Sequence, residues 1–287
     1  MNELNLSEKQ RFDALLDGIE HLPSAPVHMI RLIKLFQEPE RDVDEVISLL
    51  KKDPPLAAEI LRRCNSSFFG NDEPVTDITE ALFRLGFYEV YRLTVSLFGM
   101  KAVTETKTGT DLGIEAIWRH STMTAIIGGS IGRELEENEG TVFTAGLLHD
   151  IGKIILALAA GPNYMALIKK HGYFGPELNQ AESSEFGFNH AEVGAWLLRR
   201  WEVPELITEP VFQCHRNKWE GPFGRVAAIL NLANLMAHSI ESPATRQLFE
   251  TPDGIPSMRL LGLTSEDMQR LEDLARADLK RSNLNST

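Results

Sequence analysis

Three ionisable residues sit where water should not reach them. The stretch Thr141 to Ala160 reads TVFTAGLLHDIGKIILALAA, apolar on nearly every side for about five turns, with His149, Asp150 and Lys153 in its middle. A helix that is hydrophobic all round belongs in a protein interior. An ionisable pair buried there without partners costs several kcal/mol, so such pairs bind a metal, pair with each other or take hydrogen bonds. The stretch is long enough to span a bilayer, but three polar groups near its centre argue for a core helix instead. Three further histidines, His120, His190 and His215, recur in strongly patterned helical contexts, and an apolar helix near the C-terminus carries Asn231 and Asn234. The two cysteines, Cys64 and Cys214, are too few for a disulfide framework or a cysteine zinc motif.

The elements that must position these groups are all helical. No run of alternating strand residues and no internal repeat occurs. Residues 5–20 form a short charged helix candidate. Helices follow through Met29–Phe36, through Val46–Leu50 with Asp42 and Glu45 as a capping box, and after Asp53-Pro54-Pro55 to Asn65. Phe68-Phe69-Gly70 is a turn, and Thr76 to Ala81 enters another helix. Leu85-Gly86 leads into a long apolar one. The Thr-rich segment 104–110 is the best internal boundary. Beyond it Ile114, Ile117, His120, Ser121 and Thr124 share a helical face, then comes the His-Asp stretch, expected as one continuous helix to Gly161-Pro162. Asn189, with Glu192 three residues on, caps a helix that begins at His190. Leu206 to His215 is helical around Pro210. Arg225 to Ile240 is strongly apolar, 242–263 is irregular, and Ser265 to Arg281 is amphipathic.

Composition narrows the partners. The chain has 287 residues, 43% hydrophobic and 24% charged, ordinary for a soluble globular protein, with a net charge of −12. That charge opposes a phosphate-backbone partner, so no nucleic acid is expected. The start, MNELNLSEKQ, has no apolar signal region, so a cytoplasmic location without membrane contact is expected.

Gly146-Leu147-Leu148-His149-Asp150-Ile151-Gly152-Lys153 resembles the signature of the HD superfamily of metal-dependent phosphohydrolases. More specifically, the chain resembles the HDOD family, a relative of the cyclic-di-GMP phosphodiesterases of the HD-GYP type. Leu22-Pro23 with Pro26, Asp53-Pro54 with Leu56, Asn65-Ser66 and Ala81 to Leu85-Gly86 carry the likeness in the first half. Trp118-Arg119-His120-Ser121, Phe186 to Gly194 and Trp201 to Pro204 carry it in the second. The resemblance implies an all-α fold: an N-terminal helical lobe (1–103), an HD-like lobe (111–216) and a C-terminal helical extension (217–287) completing it.

The resemblance also implies a site. His120, His149, Asp150, His190, His215 and Asn234 fall at metal-ligand positions for a divalent ion, iron, manganese, zinc or magnesium. Lys153 is a candidate phosphate contact or a neutraliser of Asp150, and no residue is assigned a catalytic role. Imidazole and carboxylate suit such ions, which polarise phosphoryl oxygens. Near a helix N-terminus, His190 is expected to stay neutral. Three departures stand out. Cys214-His215 replaces a histidine pair, Ala233-Asn234 replaces Ala-Asp, and RNKWEGPFG after His215 lacks the Gly-Tyr-Pro element of cyclic-di-GMP hydrolases. The expected function is therefore a non-catalytic signal-transduction module of bacterial type that binds a signalling protein or a nucleotide. An active metal-dependent phosphohydrolase is the rival. Cys214 is read as an inert core thiol; His21, His28, His171 and His238 as structural; Phe68-Phe69 as a plug between lobes; and the last helix as cover for the domain's own core.

Overall fold

A computed structural model describes residues 10, 12–15, 27–38, 40, 42–65, 74–104, 114–172, 176–241 and 255–282. Among them there are helices and turns and no strand. Two compact units emerge: Ala25–Ala102, and Met1–Ser24 together with Val103–Thr287. The Phe68-Phe69 turn, most of the 104–110 segment and the side chains of His21 and His28 lie outside the described residues.

The first unit is built from α1 (Val27–Gln37), α2 (Val43–Lys51), α3 (Pro54–Cys64), α4 (Ile78–Leu85) and most of α5 (Phe87–Thr104). Its starts follow the sequence signals. Asp53 accepts the Leu56 N–H ahead of Pro54, and Asp77 accepts from Thr79 and Glu80. Asp42 caps α2 by accepting from the Glu45 N–H, but the expected capping box is incomplete. The Glu45 carboxylate instead takes a two-point contact from Arg31 at 2.6 and 2.7 Å, because a bidentate guanidinium outcompetes one backbone N–H. The Asn65 amide donates to the Val75 carbonyl at 2.8 Å and accepts its N–H at 2.7 Å, a side chain standing in for a strand partner. Phe36 packs against Tyr91 with ring centroids 4.3 Å apart.

The second unit holds the candidate site. Its helices are α6 (Ile114–Glu134), α7 (Glu139–Leu148), α8 (Ile151–Ala160), α9 (Pro162–His171), α10 (Pro176–Phe186), α11 (His190–Arg200), α12 (Glu205–Gln213), α13 (Gly224–Glu241), α14 (Pro256–Leu261) and α15 (Ser265–Arg281). The segment expected to be irregular, 242–263, thus contains α14, opened by Pro256 and closed by Gly262 at φ +69°. Helix α6 is the spine, packed against α7, α13 and α15. Helix α8 lies on α11, and α12 bridges α11, α7 and α13. The stretch Glu139–Ala160 is apolar and long enough to cross a membrane, yet 89% of its most apolar 18 residues are buried within the protein.

The expected continuous helix 141–160 is two helices. His149 and Asp150 form a turn between α7 and α8. The carbonyl of Gly146, which an unbroken helix would offer to the Asp150 N–H, accepts from Nδ1 of the His149 ring at 2.7 Å. Downstream, the Lys153 N–H closes a tighter turn onto the Asp150 carbonyl at 3.0 Å. A local side-chain bond has displaced one rung of the ladder, and the interruption turns His149 and Asp150 into the same interior space.

Close approach sets the depth of that space. A Cβ at Gly146 would stand 2.7 Å from the Ala125 Cα on α6, and one at Gly152 only 1.9 Å from the His190 carbonyl oxygen on α11. The glycines flanking the His-Asp pair are therefore there so that backbones can touch. At the other end of α6, Asp278 of α15 accepts from Ser130 and Arg133, each at 2.7 Å.

Gly152→Ala is expected to lower unfolding stability by about 3 kcal/mol, since the obstacle is backbone rather than a flexible side chain. A urea-unfolding change below about 0.5 kcal/mol would refute the close contact. Burial works to raise the Asp278 pKa, but the Ser130 hydroxyl and Arg133 outweigh it and hold it below 3.8. A depressed folded-state pKa stabilises above the unfolded value and is lost as the pH falls through the folded one. The urea midpoint of Asp278→Asn should thus lie below wild type at about pH 7, with the gap beginning to close below about pH 4 and gone once the pH has fallen through the folded-state pKa. A gap that stays constant down to acid unfolding would exclude this role.

Candidate metal centre

The core of the second unit gathers the residues that the sequence singles out. His120 comes from α6, His149 and Asp150 from the turn between α7 and α8, and Lys153 from α8. His190 opens α11, His215 follows α12, and Asn234 lies on α13. His120, His149 and Asp150 are 0% exposed, His190 1% and Lys153 2%, while His215 is half-buried. One potential ligand atom from each of His120, His149 and Asp150 lies within 4.8 Å of the others, and the same holds for Asp150, His190 and His215. Asp150 is the member common to both trios.

The Asp150 carboxylate divides its oxygens. Oδ2 takes the Lys153 ammonium at 2.8 Å. Oδ1 lies 3.3 Å from Nε2 of both His149 and His190 and is buried without a hydrogen-bond partner among the described residues. His149 Nε2 is equally unpartnered. Two buried polar atoms left facing one another are costly. Because His149 Nδ1 donates to the Gly146 carbonyl, Nε2 carries the lone pair. A lone pair and a carboxylate oxygen turned on one point are what a cation requires, so the donor set fits a divalent metal. The centre would be held by His120, His149, Asp150, His190 and His215.

Carboxylates further out fix the remaining rings. Glu182, fully buried on α10, accepts from His190 Nδ1 at 2.7 Å, from the His190 N–H at 2.9 Å and from the Tyr164 hydroxyl at 2.6 Å. With Nδ1 committed, His190 turns Nε2 inward, 2.8 Å from Nε2 of His215. Such a carboxylate behind a histidine is the usual device for orienting a ligand ring. Glu241 does the same for His120, with Oε2 2.7 Å from Nδ1. His120 Nε2 then faces the Asn234 Oδ1 at 2.8 Å, an arrangement that needs a proton or a cation between two acceptors.

These surroundings push the histidines apart. Burial drives the His149 pKa down to about 4, against the pull of Asp150. Burial also holds His215 well below 6.5, helped by the charge of His190. His190 goes the other way: burial opposes its charge, but Glu182 and Asp150 more than offset this and raise it. The helix N-terminus, expected to favour the neutral ring, is thus opposed by Glu182. A full carboxylate at 2.7 Å outweighs a half-charge of helix dipole. For Asp150 itself, burial works upward but His149, Lys153 and His190 hold it well below the usual carboxylate range.

The departures also have structure. Cys214 is buried, its thiol pushed up by burial and far from thiolate, and its carbonyl accepts from the Asn231 amide at 2.8 Å. The loop after His215 folds back so that the Trp219 indole, itself buried, donates to the Gln213 carbonyl at 3.0 Å. Sequence reasoning missed Glu182, Tyr164 and Glu241. Leu178 and Glu182 are both fully buried one turn apart, so i, i+4 spacing was the available signal for Glu182. His238, read as merely structural, stacks on His120 with centroids 4.4 Å apart.

Comparison with known proteins places this architecture. Residues 22–217 match the HDOD domain. An uncharacterised protein of Treponema pallidum (strain Nichols) is 24% identical over 213 residues, 73% of this chain and 40% of that protein, so the chain spans well under half the relative's length. Among solved structures, an HDOD domain protein of unknown function from Geobacter sulfurreducens is 22% identical with a TM-score of 0.69, covering 95% of this chain and 93% of that one. A candidate phosphohydrolase from Shewanella amazonensis SB2B is 24% identical with a TM-score of 0.68, covering 94% and 95%. A candidate signal transduction protein from Marinobacter aquaeolei VT8 is 20% identical with a TM-score of 0.69, covering 97% and 66%. At these identities the likeness shows a shared fold.

Lys153→Met should lower stability by about 3–5 kcal/mol, because it leaves the buried Asp150 carboxylate without its cation. Denaturant unfolding of metal-free protein measures this, and a loss under about 1 kcal/mol would exclude a buried ion pair.

Proposed function

Since the chain belongs to the HDOD family, we propose that it serves as a regulatory, non-catalytic signalling module whose core holds a divalent metal ion as a structural centre. The ligands in this reading are His120, His149, Asp150, His190 and His215, with Asn234 against His120. The observation that carries it is burial. Four of these five ligands are at most 1% exposed, and the carboxylate they share is already paired with Lys153, itself 2% exposed. Only the half-buried His215 among these ligands reaches toward solvent, and the cation beside Asp150 is already engaged. Lys153 here neutralises Asp150 rather than gripping a phosphate. Asn234 supplies no negative charge where a two-cation centre would need one. The module then acts by presenting its helical surface to a signalling protein or a nucleotide.

One observation favours the rival reading of an active phosphohydrolase: His149 Nε2 and Asp150 Oδ1 are the unpartnered atoms, as a metal-dependent hydrolase would leave them. A bound ion would supply Lewis acidity toward a phosphoryl oxygen. The residues of this chain would hold and orient it, with Glu182 and Glu241 fixing the His190 and His120 rings.

Metal analysis of the purified protein, joined to an assay against generic phosphoesters with manganese or iron, separates the readings. Retention of at least about half an ion per chain, reduced by about one site's share in His149→Ala, is expected alongside no turnover. A metal content below about 0.2 per chain overturns the structural-metal reading. Turnover that vanishes in His149→Ala would instead establish the hydrolase.

A further inference from the structure

One group of ligand-type side chains is left over once the Asp150 cluster is accounted for. Asn234, His238 and Glu241 follow one another at i, i+4 and i+7 on α13, which places them on one helix face. That face meets His120 on α6. Glu241 Oε2 is 2.7 Å from His120 Nδ1, and the His238 ring stacks on that of His120 at 4.4 Å with 28° between planes. One ligand atom from each of His120, His238 and Glu241 lies within 4.8 Å of the others. The second oxygen of Glu241, Oε1, is buried and has no hydrogen-bond partner among the described residues. The Arg119 guanidinium is 3.7 Å from it, outside hydrogen-bond reach, on a side chain 57% exposed.

We propose that His238, Glu241 and Nδ1 of His120 form a second transition-metal site, for a divalent ion of the zinc class, beside the Asp150 cluster. Two imidazoles and a carboxylate are a donor set that zinc accepts, with a fourth position open to water. Were Glu241 there only to orient His120, one oxygen would suffice. Its other oxygen is instead desolvated beside two stacked imidazoles, where a cation removes the mismatch. The charge logic points the same way. Asn234 brings no negative charge to this face of α13, and Glu241, two turns on, supplies it. On binding, the Nδ1 proton of His120 passes to solvent. Its Nε2 still faces Asn234 and the first cluster, so His120 is the one residue common to both sites. The half-buried His238 and Glu241 give an ion a path from solvent to this site. The inference does not depend on the first site being filled.

The test is cobalt(II) titration of the full chain, read by ligand-field absorption and by metal content after gel filtration. Wild type is expected to hold about two ions per chain, and His149→Ala about one. Adding His238→Ala or Glu241→Gln to His149→Ala should abolish the remaining ion or weaken it at least about 100-fold. No cobalt in His149→Ala, or cobalt there that survives both further changes, overturns the proposal. Should His149→Ala not fold, His238→Ala alone decides, because Glu241 also orients His120 for the first centre. It is expected to remove one ion from wild type, whereas an unchanged stoichiometry and spectrum overturn the site. A chain that loses no ion in His149→Ala but one in His238→Ala would sink the first metal centre and leave the second standing.

Discussion

A carboxylate with no exposure has to be answered from inside the protein. Asp150 is such a group, and the second unit is arranged around answering it. Removing a charge of this kind from water costs several kcal/mol even after relaxation. Lys153, one turn later on the same helix, repays part of that through Oδ2 at 2.8 Å. Oδ1 remains, with two imidazole Nε2 atoms at 3.3 Å and no proton donor in good geometry. To bring those rings there, α11 must come down on α8 until backbone touches backbone. The glycine at 152 is what lets the chain do so.

The histidines around this carboxylate are distinguished by what stands behind them. A backbone carbonyl behind His149 fixes its tautomer but favours the charged ring too little to offset burial, which drives its pKa down to about 4. A carboxylate behind His190 fixes the same tautomer and also favours the imidazolium, so that pKa rises. Identical ring chemistry a few ångströms apart is thus tuned in opposite directions by the outer neighbour. Glu182 and Glu241 are as much part of this arrangement as the histidines, although neither belongs to a motif.

Much of the fold was legible in the chain. Asp53 before Pro54, and Asn189 three residues ahead of Glu192, announce helix starts that form with those caps. These are local effects, settled within one turn, which is why a one-dimensional reading captures them. The break at His149 was not legible, because an apolar run carries the same periodicity whether or not one rung of its ladder is taken by a side chain. Nor was the upward push on the His190 pKa. The helix terminus can be read from adjacent residues, but the overriding carboxylate comes from the preceding helix.

By itself the sequence determined that the chain is helical, that His149 and Asp150 are buried, and which histidines share the family's ligand pattern. Each follows from periodicity, composition or motif order. Only the tertiary structure decided what those groups meet. Asn234 and Glu241 lie 114 and 121 residues from His120, and their approach is set by the packing of α13 on α6. Helical period says which residues share a face, but not which face another helix will cover. For that reason His238 read as an ordinary histidine, while beside His120 and Glu241 it becomes part of a second candidate centre.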